Sequence, residues 1–242
     1  MTEDELLDAA NDVFTRLRED CPAVPNASYT VHFEPHMTSL AYATAWYYDI
    51  NPVIQDPTYV GHDFEIALDP DVTWHNGPCR TLPRGSYDLK TTLLHEMIHG
   101  VGILSSIRAD KSAMPTSYDL QLRDVDEQPV VDTSFHAAFG QSLHVNNVDV
   151  YNPSFYQSGS SFSHYMHSGV MDYAQHTSEC TRHIDDDVRR MLQAVGYDCA
   201  PASHDPLPII LGVAGVLLVG VLIAVFACRK KEKGRMDRPL LS

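Results

Sequence analysis

The run Leu93-Leu94-His95-Glu96-Met97-Ile98-His99-Gly100-Val101-Gly102 sets two imidazoles and a carboxylate at a spacing that suits metal-assisted hydrolysis. On a helix, His95 and His99 project from one face and can share one ion. Zn²⁺ suits imidazole nitrogen at about 2.0–2.1 Å and keeps a fourth tetrahedral position for water. A bound metal brings the pKa of that water towards ~7; Glu96, beside the pair, can take the proton and later pass it to a leaving amine. The expectation is therefore His95 and His99 as ligands and Glu96 as general base and acid. A solvated helix that happens to carry two histidines and a glutamate is the competing reading. Against it, Leu93, Leu94, Ile98 and Val101 give the helix an apolar face to bury, and Gly102 stands where the helix must end for a third ligand to approach.

The elements that must position this group follow from pattern. Thr2 to Glu19 reads as an amphipathic helix with Leu6, Leu7, Ala10, Val13, Phe14 and Leu17 at three- and four-residue spacings. Thr2 and Glu5 form its capping box and Cys21-Pro22 its end. Ser28–Glu34 and Asp63–Asp69 alternate as half-buried strands, while Ala41–Tyr48 suits strand or helix. The ligand helix is expected over Asp88–Gly100. From Ser106 to Phe162 the chain is long, polar and weakly periodic, an insertion with short elements around Tyr118–Val125 and Ser134–Phe139. A last helix, Ile184–Val195, starts on Asp185, Asp186 and Asp187, which suit the helix dipole, and stops at Gly196.

The chain has 242 residues, 17 Lys+Arg against 32 Asp+Glu, and a formal charge of −15. Such a balance repels phosphate, so no nucleic-acid partner is expected. Leu207 to Cys228 carries no charged residue and is long enough for one bilayer crossing. Arg229-Lys230-Lys231-Glu232-Lys233 follows, and basic flanks mark the cytoplasmic side. The expected organisation is a domain over 1–205, a transmembrane helix over 206–228 and a short basic cytoplasmic tail over 229–242. That is a single-pass type I membrane protein with its large domain extracellular or lumenal. Met1-Thr2-Glu3-Asp4-Glu5 shows no apolar signal core, which leaves a cytosolic, tail-anchored arrangement as the alternative. Cys21, Cys79, Cys180 and Cys199 precede the span, an even set suited to two disulfides in any of three connectivities. Asn26-Ala27-Ser28 is a glycosylation sequon.

His95-Glu96-x-x-His99-x-x-Gly102 resembles the zinc signature of the metzincin metallopeptidases. Most of that clan carries a third histidine three residues after the glycine, where this chain has Ser105. The leishmanolysin-type members resemble it better, because a long insertion separates their glycine from the third ligand. The resemblance makes 106–162 that insertion and His164 the third zinc ligand, with His167 next and His136, His144, His176 and His183 behind. Ser168-Gly169-Val170-Met171-Asp172-Tyr173 resembles the clan's Met-turn, and Tyr173 the tyrosine that some members place near the zinc as a hydrogen-bond donor. The fold implied is α+β: a small twisted sheet, an active-site helix and a C-terminal helix. Asp20-Cys21-Pro22 resembles only loosely the cysteine element that holds some members latent, and disulfide pairing is expected there instead.

Three functions are weighed. The first is a membrane-anchored zinc endopeptidase acting on an extended polypeptide substrate. The second is a catalytically inactive metzincin-like surface adhesin or receptor module, which the serine at position 105 favours and the intact Glu96 disfavours. The third is a cytosolic tail-anchored protease. Asp237-Arg238-Pro239-Leu240-Leu241 further resembles the acidic dileucine signals that trafficking adaptors read in cytosolic tails.

Overall fold

The structure is a computed structural model that describes residues 1–45, 63–110, 115–131, 135–136 and 138–199, and the backbone of 47–48 and 54–55. The chain divides into two units, Met1–Ala202 and Ser203–Ser242. The apolar run Leu207–Cys228 and the dileucine tail lie outside the described residues. Among those described, no helix is long and apolar enough to cross a membrane.

Helix α1 spans Glu3–Asp20, with Thr2 and Glu5 exchanging the two bonds of a capping box. Its face of Leu6, Ala9, Ala10, Val13, Phe14 and Leu17 is buried, as the three- and four-residue spacing requires. Strands β1 (Tyr29–Phe33), β2 (Ala41–Ala45) and β5 (Phe64–Leu68) make a three-stranded sheet in the order β1-β5-β2. The central β5 runs parallel to β1 and antiparallel to β2. Two short pairs flank this sheet: β3 (Tyr47–Tyr48) with β4 (Ile54–Gln55), and β6 (Trp74–His75) with β7 (Tyr87–Asp88). The ambiguous Ala41–Tyr48 stretch is thus extended in its described residues.

Helix α2 covers Leu89–Gly100 and lies between α1 and the sheet, buried on nearly every side. Gly100 makes that approach possible: a Cβ there would sit 2.5 Å from the Phe64 ring. The insertion holds a short 3₁₀ turn at Asp119–Gln121 and a hairpin of β8 (Leu143–Val145) and β9 (Val148–Val150), which the sequence analysis did not identify. Helix α3, Asp186–Ala194, is capped by Asp185, whose carboxylate accepts the Val188 N–H at 2.8 Å. The acidic triplet therefore does helix-start work. The described domain is mixed α+β, with one core running from α1 through β5 and α2 to the hairpin and α3.

Two disulfides, Cys21–Cys199 and Cys79–Cys180, tie the ends of this core together. Cys21 is thereby engaged at the end of α1 and away from the histidines.

Candidate metal centre

Helix α2 is held at both ends. At its start, the Asp88 carboxylate accepts the Thr91 amide N–H at 2.9 Å and the Thr91 hydroxyl at 2.8 Å. Arg182 Nε donates to the same carboxylate at 2.8 Å, a second guanidinium N–H meets its other oxygen, and Arg182 also reaches the Gly77 carbonyl at 2.6 Å. Burial pushes the Asp88 carboxyl up, but the hydrogen bonds from Arg182 and Thr91 outweigh it and hold the group below the usual carboxylate range.

At the other end, the Gly102 N–H donates to His99 O at 3.0 Å and the Ile103 N–H to Ile98 O at 3.2 Å, a Schellman turn. Gly102 has φ +132°, a conformation that favours glycine. The turn folds the Ile103 carbonyl back to 2.6 Å from His99 Nδ1.

The other two histidines are held in the same way. His95 Nδ1 lies 2.6 Å from the Val170 carbonyl, and His164 Nδ1 lies 2.8 Å from that of Ser160. A carbonyl oxygen can only accept, so each Nδ1 carries the proton. Burial lowers the pKa of all three rings, that of His164 to about 3, so they are neutral. Each Nε2 is therefore a bare lone pair. Yet these three atoms converge: His95 to His164 is 3.0 Å, His95 to His99 is 3.1 Å and His99 to His164 is 3.2 Å. Acceptors so close with no proton between them repel unless a cation stands among them. Nitrogens about 2.0–2.1 Å from a tetrahedral zinc lie roughly 3.3–3.4 Å apart, close to the triangle observed. The donor set and its carbonyl-fixed outer shell thus fit zinc. Among the described residues this is the one group of three or more ligand side chains that could hold a metal.

The other histidines weighed as ligands are engaged elsewhere or exposed. His167 stacks on Tyr165 and meets Asp187 at 2.6 Å, His136 meets Asp124 at 3.3 Å and His144 meets Glu127 at 3.1 Å. His176 and His183 are exposed. Ser105 donates its backbone N–H to the Ser163 hydroxyl at 2.9 Å and so ties the helix exit to the residue before His164.

Glu96 is 6% exposed, and its carboxylate accepts the Ala43 backbone N–H. Burial raises its pKa to about 8, and the Ala43 bond offsets part of that rise. The sheet explains why this N–H is free. Asp69 N–H donates to Leu40 O, so opposed residues 40 and 69 form a bonded pair. Bonded and non-bonded pairs alternate along an antiparallel ladder, so the N–H and C=O of Ala41, Ala43 and Ala45 point away from β5.

That open edge, the three histidines and Glu96 line one cleft of about 540 Å³. Ser158, Gly159 and Ser160 close it on one side, and Asp172, Tyr173, Ala174 and Gln175 on the other. Tyr173 is 47% exposed in this wall, and its ring stacks on Tyr151 at 4.0 Å. Met171 is fully buried, and its N–H donates to the Tyr165 hydroxyl at 3.0 Å, which in turn donates to Asp185 at 2.8 Å.

Sequence analysis did not identify Ala43, Arg182, Tyr165 or the three carbonyls as parts of the centre. Arg182 alone left a signal, a basic residue next but one to a cysteine in a short polar segment.

Comparison with protein-family models, with curated proteins and with solved structures finds no match for this chain.

Proposed function

We propose that this chain is a membrane-anchored zinc endopeptidase of metzincin type, with leishmanolysin-like spacing between its ligands. The observation that carries this is the convergence of three unprotonated Nε2 atoms, from His95, His99 and His164, beside the buried carboxylate of Glu96. Zinc, when bound there, supplies a Lewis acid that polarises a peptide carbonyl and makes water a nucleophile near neutral pH.

The chain's own residues do the rest. The outward C=O of Ala43 and the outward groups of Ala41 pair with an extended peptide and lay it along the cleft. Glu96, on the same edge, takes a proton from the attacking water and delivers it to the leaving amine nitrogen. Tyr173 donates a hydrogen bond to the oxygen on which negative charge develops. Leu207–Cys228 anchors the domain on the extracellular or lumenal side, where the two disulfides are at home. The tail signal at Asp237–Leu241 offers itself to a trafficking adaptor.

The test is zinc content of the purified full chain, wild type beside His99→Ala, His164→Ala and His167→Ala. One zinc per chain is expected, lost in the first two variants and kept in the third. Glu96→Gln is expected to keep zinc and lose cleavage of an unfolded protein substrate by more than 100-fold. A folded wild type without zinc overturns the proposal. Zinc without cleavage leaves the inactive adhesin or receptor module as the surviving reading.

A further inference from the structure

One end of the cleft has a chemistry that the hydrolytic machinery does not use. Thr92 lies one turn before His95 on α2, on the same side of the helix, and it lines the cleft with Tyr87, Asp172, Ala174 and Gln175. This end therefore adjoins the metal ligands and takes the side chain of a substrate residue next to the scissile bond.

Its one charged side chain is a carboxylate. The Asp172 Oδ1 accepts the Ala174 N–H at 3.3 Å, and its other oxygen makes no hydrogen bond or ion pair with any described residue. Among the described residues lining the cleft there is no lysine or arginine to neutralise it. Thr92 Oγ1 lies 2.6 Å from Gln175 Oε1 and 3.2 Å from the Asp88 carbonyl, yet a hydroxyl has one proton. In that orientation the buried Gln175 Nε2 also lacks a partner. Turning the amide over resolves the first fault: Thr92 donates to Asp88 O and accepts from the Gln175 N–H₂. The Gln175 oxygen then takes the buried position, which leaves Asp172 as the acceptor that faces the cleft.

We propose that this pocket is a specificity subsite for a lysine or arginine side chain of the substrate, with Asp172 as its charge partner. This rests on the peptidase reading above. The ammonium or guanidinium group gains a carboxylate with no lysine or arginine beside it among the described residues of the cleft, whereas an acidic side chain is repelled by that carboxylate.

The experiment uses peptides identical except for one residue, Lys, Arg, Ala or Glu, walked through each position. Binding is measured by anisotropy on zinc-loaded full-chain Glu96→Gln, and cleavage on the chain with Glu96 intact. At one position, Lys and Arg are expected to exceed Glu by about tenfold or more at low salt in both readouts. Asp172→Asn keeps an oxygen for the Ala174 N–H and should bring that ratio to about one, while Asp172→Lys should invert it. Near-ultraviolet circular dichroism checks that both variants fold. A ratio unchanged in Asp172→Asn, or a wild type indifferent to charge, overturns the subsite and leaves the peptidase standing. A zinc-loaded chain that neither binds nor cuts any member overturns both.

Discussion

Asp88 and Arg182 form a buried ion pair across 94 residues of sequence, with Arg182 Nε donating to Asp88 Oδ2 at 2.8 Å. The carboxylate caps α2, and the guanidinium arrives from the segment that follows Met171, two residues after Cys180. The pair thus joins the two chain segments that supply His95 and the carbonyl that orients it.

Removing one partner strands the other. Asp88 is fully buried, so Arg182→Ala leaves a charge held by the Thr91 bonds alone. A loss of about 3 kcal/mol is expected in urea unfolding at pH 7. A loss below about 1 kcal/mol would show that the pair contributes little.

The same pair sets an acid dependence. Asp88's carboxyl is lowered in the fold, so its contribution is complete above the unfolded value of about 4 and is lost as pH falls through the folded one. In Arg182→Ala the buried carboxylate has lost its partner and protonates more readily. The stability gap between wild type and variant should therefore narrow from pH 7 towards pH 4. Urea titrations with a chelator throughout, which removes the metal's own pH dependence, would show a constant gap if this assignment were wrong.

Gly102 couples the helix end to a ligand. A side chain there is strained at φ +132°, by about 1–3 kcal/mol. Relief of that strain moves the Ile103 carbonyl off His99 Nδ1. Gly102→Ala is expected to weaken zinc affinity by about 10–100-fold, the usual cost of an outer-shell partner. Competition with a zinc chelator measures it, and unchanged affinity in a destabilised variant would separate the turn from the site.

Tyr165 is fully buried, with its hydroxyl between Met171 N–H and Asp185. Tyr165→Phe leaves a buried N–H without its acceptor, a cost of about 1–3 kcal/mol. Val170 precedes Met171 directly, so weaker zinc binding should accompany the loss. Equal affinity in the two proteins would confine Tyr165 to stability.

His95, Glu96 and His99 were legible because their spacing is local: one helical face shows them together. His164 lies 65 residues beyond His99; no periodicity links the two, and only the resemblance distinguished it from the other histidines. The carbonyls of Val170, Ile103 and Ser160 leave no trace in side-chain identity, since any residue type carries one. Ala43 is silent for the same reason, its role set by strand parity. The β8–β9 hairpin did carry a signal that went unread. Leu143, Val145, Val148 and Val150 alternate around Asn146-Asn147, whose φ values of 48° and 62° are those of a two-residue turn. The strands β1 and β5 were readable because Tyr29, Val31 and Phe33, and likewise Phe64, Ile66 and Leu68, alternate along them and pack in the core.

The Cys21–Cys199 bond also decides how the domain meets mechanical load. Tension on the chain beyond Cys199 crosses the sulfur bridge to Cys21 as well as following the backbone into Tyr197 and α3. Helix α3 therefore cannot be peeled away residue by residue from its C-terminal end. The pull enters at two points of the core at once and loads α1 and α3 in parallel, while the histidine triangle lies inside the covalent loop that bears it.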